Sequence, residues 1–216
     1  MTGVQTCALP IWYHVGSKDE KPGRTGLAHL FEHLMFRGTE RAPGSSFDDL
    51  METGGGWNNA STSQDRTNYY DIGPSELLPT LLWLEADRMQ ALGPNIDQAT
   101  LDNERDVVRN ERRESYEDVP YGLADLAFQR LVYPPDHPYH IPVIGSHADL
   151  VAATVEDVHQ FFATYYVPNN ALLGIVGATD AQAAFAAADR VLGDWQRTTL
   201  PPPPRDAHPV GIEWMY

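Results

Sequence analysis

The chain has 216 residues, of which 42% are hydrophobic, 10% aromatic and 21% charged; this globular composition makes disorder, collagen and coiled coil poor fits. Fifteen Lys and Arg against thirty Asp and Glu give a formal charge of −15, the wrong sign for phosphate backbones or anionic lipid, so neither nucleic-acid nor membrane-surface binding is expected. The single cysteine, Cys7, excludes an intramolecular disulfide and a thiolate metal site, which leaves the eight His and the carboxylates to hold any metal. No run approaches the roughly 18 apolar residues needed to span a bilayer, and the N-terminus lacks a basic segment followed by an apolar one.

Met1 to Ile11 reads poorly as structure, without a period of 2 or of 3.6. The string matches the translation of a common sequencing-adapter end and is read as a foreign segment fused to a truncated gene. From Trp12 the pattern becomes protein-like: a strand at Trp12 to Val15, a polar loop Gly16 to Gly26, and a helix Leu27 to Arg37 ended by Gly38. A short helix Ser46 to Thr53 follows, then three glycines. Strands near Trp57 to Ser61 and Thr67 to Ile72 flank a polar turn and read as a hairpin. Helices are predicted at Ser75 to Leu92, Gln98 to Ser115 and about Tyr121 to Tyr133, then a loop Pro134 to Pro142. A helix near Thr154 to Tyr165, a strand Ala171 to Val176 and a helix Ala181 to Leu192 complete the domain, assigned to residues 12 to 196. The absence of regular βαβ alternation favours an α+β two-layer fold. Pro201 to Pro204 reads as a semi-rigid linker within the segment 197 to 216, with Val210 to Met215 as the start of a further strand in a truncated second domain.

The main chemical signal lies in Leu27 to Phe36. On a helix, Leu27, Leu30, Phe31, Leu34 and Met35 form a wide apolar face, while His29, Glu32 and His33 share the other side at i, i+3 and i+4. A helix this apolar is buried, and three polar side chains on one stripe of it must find partners. A cation meets that need: two His one turn apart can both point at one zinc ion, and an adjacent Glu can take a proton from the water it polarises. A catalytic zinc wants a third protein ligand. On Gln98 to Ser115, Glu104 and Glu111 fall on the inner stripe defined by Leu101 and Val108, whereas Asp102, Arg105, Asp106, Arg109, Arg112 and Arg113 lie off it and read as solvated. Spacing alone does not choose between the two carboxylates.

These residues resemble the pitrilysin and insulinase family of zinc metallopeptidases, whose inverted motif His29-Leu30-Phe31-Glu32-His33 reproduces in type and order. Asn103 to Glu111 is similar to the segment that carries the family's distal zinc ligand. The resemblance implies Zn2+ held by His29, His33 and Glu111, Glu32 as general base, and a supporting catalytic role for Glu104. It implies that Asn59, Ala60 and Ser61 form an edge to which substrate adds as a strand. His137, His140 and His147 gain no metal role. The implied fold is a two-layer sandwich, a mainly antiparallel sheet covered by helices, of the mitochondrial-processing-peptidase type.

The implied activity is metalloendopeptidase cleavage of extended peptides or unfolded segments. The alternative is a non-catalytic scaffold or partner subunit of the same family. Two departures from the family pattern stand out. Its first strand is missing or overwritten by Met1 to Ile11, which predicts an uncovered sheet edge. The second homologous domain or partner subunit that closes the family's active site is not within these residues, so the chain alone is expected to hold the metal without turning over. The compartment is left open.

Overall fold

The computed structural model describes residues 5–203. A mainly antiparallel sheet is covered on one face by helices. The sheet order is β2-β3-β1-β4, with β5 also on β1, where β1 is Thr6–Tyr13, β2 Trp57–Thr62, β3 Thr67–Pro74, β4 Ala171–Leu173 and β5 Val176–Gly177. The helices are α1 Leu27–Leu34, α2 Ser46–Thr53, α3 Leu78–Asn95, α4 Gln98–Arg112, α5 Gly122–Val132, α6 His147–Ala152, α7 Val155–Tyr165 and α8 Ala181–Leu192. This is the expected α+β two-layer architecture.

The N-terminal segment departs from expectation. Thr6 to Ile11, read as non-structural, forms most of β1, the strand at the centre of the sheet. Cys7, Leu9, Ile11 and Tyr13 alternate inward and are buried, so a period of 2 is present. It is masked because the outward set Ala8, Pro10 and Trp12 is also apolar. The predicted strand start at Trp12 is therefore corrected to Thr6.

Pro10 explains a second difference. Its missing N–H faces the β4 side of β1; there Gly174 N donates to the Pro10 carbonyl at 2.8 Å, and a Cβ on Gly174 would meet the Pro10 ring at 3.1 Å. The single strand predicted over Ala171 to Val176 is accordingly split into β4 and β5. The helix α6, capped by the Ser146 hydroxyl on Asp149 N, lies between the predicted loop ending at Pro142 and the helix near Thr154, where no element was predicted; six residues give too short a period to see. The predicted strand at Val210 to Met215 lies outside the described residues.

Two apolar clusters fill the space between the layers. One joins Ile11, Tyr13 and Tyr69 to α1, α4 and α7; the other places Leu9, Phe47, Met51 and Leu81 beneath α2, α3 and α8. No described helix is long and apolar enough to cross a membrane.

Candidate metal centre

Helix α1 is fixed at its start, through its body and at its neighbours. It enters through Gly26, at φ 86°, where an added Cβ would lie 3.0 Å from Ile144 O and Gly145 Cα; a larger residue would prise the helix off that turn. The Glu20 carboxylate accepts from Gly26 N (2.9 Å) and Ala28 N (2.8 Å), satisfying two of the first-turn donors. Leu27, Ala28, Leu30, Phe31 and Leu34 are buried. The Phe31 ring sits 4.4 Å from that of Tyr166 and 5.7 and 5.8 Å from those of Phe161 and Phe162. With that face committed to the core, His29, Glu32 and His33 turn toward α4 and the end of β2.

The opposite wall is α4, which starts at an Asp97 cap on Thr100 N and buries Leu101, Glu104 and Val108 on one stripe. Glu111 extends that stripe one turn past Val108 and is partly open. The donor atoms of His29, His33 and Glu111 all lie within 4.8 Å of one another. Glu111 Oε2 is 3.7 Å from His29 Nε2 and 3.3 Å from His33 Nε2. Glu104 is on the other side of the ring, its Oε2 3.7 Å from His33 Nδ1, and its Oε1 accepts from Arg37 Nε at 2.7 Å. The structure thus separates the two carboxylates that spacing left equivalent: Glu111 faces both imidazoles, while Glu104 backs one of them.

The electrostatics describe a site built around positive charge. Burial lowers His29 to about 4. Burial would lower His33 too, but contacts with Glu104 and Glu111 raise it to about 9, and His33 in turn holds Glu111 below its ordinary value. Glu111 Oε2, the atom that faces both imidazoles, is buried without a hydrogen-bond partner among the described residues, a costly arrangement that a bound cation would relieve. The donor set of two imidazoles and one carboxylate fits zinc with a position left open. Glu32 is pushed up mainly by burial, with a hydrogen bond from Thr62 opposing the shift.

The hairpin supplies the edge beside this cluster. Ser63 N donates to Arg66 O at 2.8 Å, and in an antiparallel ladder bonded pairs alternate, so Ser61 with Asn68 and Asn59 with Tyr70 are the next bonded pairs. Asn58, Ala60 and Thr62 therefore turn their backbone groups to the open edge. Of the three predicted substrate residues, Ala60 presents its main chain there, while Asn59 and Ser61 spend theirs on β3. The Asn59 side-chain oxygen caps Ala60 N at 2.8 Å. Ser61 is instead gripped by Arg66, which donates to its carbonyl at 2.8 Å and its hydroxyl at 2.6 Å.

The three histidines to which the resemblance gives no metal role stay apart from the cluster: His137 Nδ1 accepts from Tyr139 N, His140 Nδ1 lies 2.7 Å from Tyr133 O, and His147 Nε2 lies 3.0 Å from Glu117. Arg112, read as solvated, is buried and donates to Gly145 O at 2.7 Å and Glu117 at 3.0 Å, bracing the π turn Arg113–Glu117 that continues α4. Sequence reasoning missed Arg37 and Thr62. Arg37 lies in the bend just past α1, which ends at Leu34 rather than at the predicted Arg37; Thr62 shares a face of β2 with Ala60, toward α1.

Comparison with known proteins adds the family context. The profile described as "Insulinase (Peptidase family M16)" matches residues 2–129, and the one described as "Peptidase M16 inactive domain" matches residues 152–213. The chain is 36% identical over 177 residues to the zinc protease PqqE of Helicobacter pylori, covering 82% of this chain and 39% of that protein. It is 29% identical over 215 residues to the mitochondrial cytochrome b-c1 complex subunit 1 of Homo sapiens, covering 98% of this chain and 40% of that one. A crystal structure of a protease from Helicobacter pylori superposes with a TM-score of 0.87 at 32% identity, covering 92% of this chain and 48% of the other. The chain therefore spans less than half the length of these relatives.

Proposed function

The chain belongs to the insulinase family, peptidase family M16, and on that premise we propose that it is the metal-bearing half of a zinc-dependent metalloendopeptidase. The observation that carries this reading is the convergence of His29, His33 and Glu111 on one point, with Glu32 one residue before His33 on the same helix. His29, His33 and Glu111 would hold the zinc, and Glu104 would fix the ring of His33 through Nδ1, as carboxylates behind metal-bound imidazoles do. Bound there, zinc supplies Lewis acidity toward water and toward a peptide carbonyl.

The other steps belong to the chain's own side chains. Glu32 takes the proton of the attacking water and returns it to the leaving amine; burial, which raises its carboxyl, suits a group that must hold a proton briefly near neutral pH. The substrate lies extended along β2, bonded to the backbone of Ala60 and its outward-facing neighbours, which favours peptides and unfolded segments over folded chains. A second homologous half, or a partner supplying it, covers the other side of the substrate.

The similarity to the cytochrome b-c1 subunit supports a second reading, a non-catalytic scaffold or partner subunit. The full set of four motif residues favours the enzyme. The test is Glu32→Gln in the protein together with its second half. This variant is expected to keep about one zinc per chain and to lose peptidase activity by about 100- to 10,000-fold. Retained activity would refute the role of Glu32, and a wild-type protein without zinc would favour the scaffold.

A further inference from the structure

Glu32 does not stand alone on α1. Thr62, the last residue of β2, donates its hydroxyl to Glu32 Oε2 and sits opposite Thr67 in the ladder. That pair is of the narrow, non-bonded kind in which side chains come closest, and the two hydroxyl oxygens are 3.4 Å apart. Thr67 is fully buried, and its hydroxyl donates to the carbonyl of Val15 at 3.0 Å.

Counting protons along this line gives it a direction. A carbonyl only accepts, so the Thr67 proton is committed to Val15, and Thr67 can only accept from Thr62. Thr62 has one proton. It gives that proton to Glu32 when Glu32 is a carboxylate. The proton taken from water goes to the other oxygen, Oε1, because Oε2 is occupied by Thr62; Oε2 then remains an acceptor, so Thr62 keeps donating to it. Both states of the base are then satisfied. No O–H bond of either threonine breaks.

We propose that Thr62 is a positioning residue for Glu32: held opposite Thr67 in the hairpin ladder, its hydroxyl donates to the general base at the end of β2 both before and after the base accepts its proton. The inference rests on the peptidase reading and adds to it a residue that touches neither metal nor reacting atoms. It also ties the substrate-binding strand to the base, because Thr62 belongs to the same edge as Ala60.

The test compares Thr62→Val, which keeps the branched shape, with Thr62→Ser, which keeps the hydroxyl, in the protein with its second half. Thr62→Val is expected to keep zinc stoichiometry and KM and to lower kcat about 10- to 100-fold, the loss of one hydrogen bond to a charged group. Thr62→Ser is expected to recover kcat to within about threefold of wild type. A readout independent of turnover is the infrared carboxylate band of Glu32, isolated as the wild-type minus Glu32→Gln difference in the metal-free protein; it shifts in Thr62→Val and not in Thr62→Ser. If Thr62→Val fails to bind zinc, Thr62→Ala is compared with Thr62→Ser on the same band. Wild-type kcat in Thr62→Val, a change in KM alone, or an unmoved band overturns the proposal. Activity in Glu32→Gln overturns the peptidase reading and the proposal together, whereas a dead Glu32→Gln beside a fully active Thr62→Val overturns the proposal alone.

Discussion

Phe31 lies between the two metal-facing histidines on α1 but points the other way, so truncating it tests how the core holds the site. Phe31→Ala removes a ring that is fully buried and packed against Tyr166, Phe161 and Phe162. Those partners have little room to close the gap: Tyr166 bonds the Tyr69 hydroxyl at 2.8 Å and lies 4.2 Å from the Tyr13 ring. Truncation of a buried Phe costs about 3–5 kcal/mol, and a cavity that cannot collapse places this one near 4 kcal/mol, about a thousandfold in the folding equilibrium. For a chain of this size the melting temperature falls by roughly 10–15 °C. A ligand present at a thousand times its Kd and bound only by the folded state adds about 4 kcal/mol. Zinc at that level therefore restores most of the loss, because α1 must be in place for His29 and His33 to bind together. The assay is thermal and urea unfolding followed by circular dichroism, with chelator and with zinc. A loss below about 1 kcal/mol would refute the packing argument, and a normal loss that zinc does not offset would separate α1 from the metal.

Three further outcomes are expected. Both Asp71 oxygens are buried without a hydrogen-bond partner among the described residues, and burial, then Glu85, pushes its carboxyl well up; burial also raises Glu20, from 4.5 to about 8. In the folded state these two groups hold protons that the unfolded state releases, so their contribution to the stability of the metal-free chain is lost as pH rises, for Glu20 from about 4.5 to about 8, while His29, lowered to about 4, acts in the opposite sense up to 6.5. The test is therefore the difference between wild type and Asp71→Asn in urea titrations: the wild type loses stability relative to the variant as pH rises, and a wild type that gains on the variant as pH rises would contradict the assignment. Ala60→Pro removes an N–H that faces the open edge, so it keeps the melting temperature but raises KM for extended peptides, while Asn59→Pro breaks a ladder bond and unfolds more readily; equal effects on stability would place the ladder in the other register. Glu104→Gln weakens zinc binding about 10- to 100-fold without abolishing it, measured by competition with a chelator, and complete loss would make Glu104 a ligand.

The metal helix was legible because both of its signals are local: an apolar face at helical spacing, and three polar residues where the remaining stripe should find partners. Glu104 and Glu111 were legible as misplaced carboxylates on a core stripe, but their division of labour was not, since it depends on which nitrogen of His33 each one meets. That is set by the docking of α1 on α4, which no spacing records. Thr62 and Arg112 were hidden for the same reason, as their partners lie 30 and 33 residues away. The central strand β1 was obscured by its own second apolar face, and the break between β4 and β5 by a proline on a neighbouring strand. Short helices such as α6 depend on one cap and one buried leucine, Leu150, too little pattern to distinguish from loop.

If His29, His33 and Glu111 form one metal site, titration of the metal-free chain with zinc under chelator competition finds about one tightly bound ion per chain, lost in His29→Ala, in His33→Ala and in Glu111→Ala, and kept in His137→Ala, His140→Ala and His147→Ala. A wild-type chain that binds no zinc, or three cluster variants that all retain it, would rule that site out.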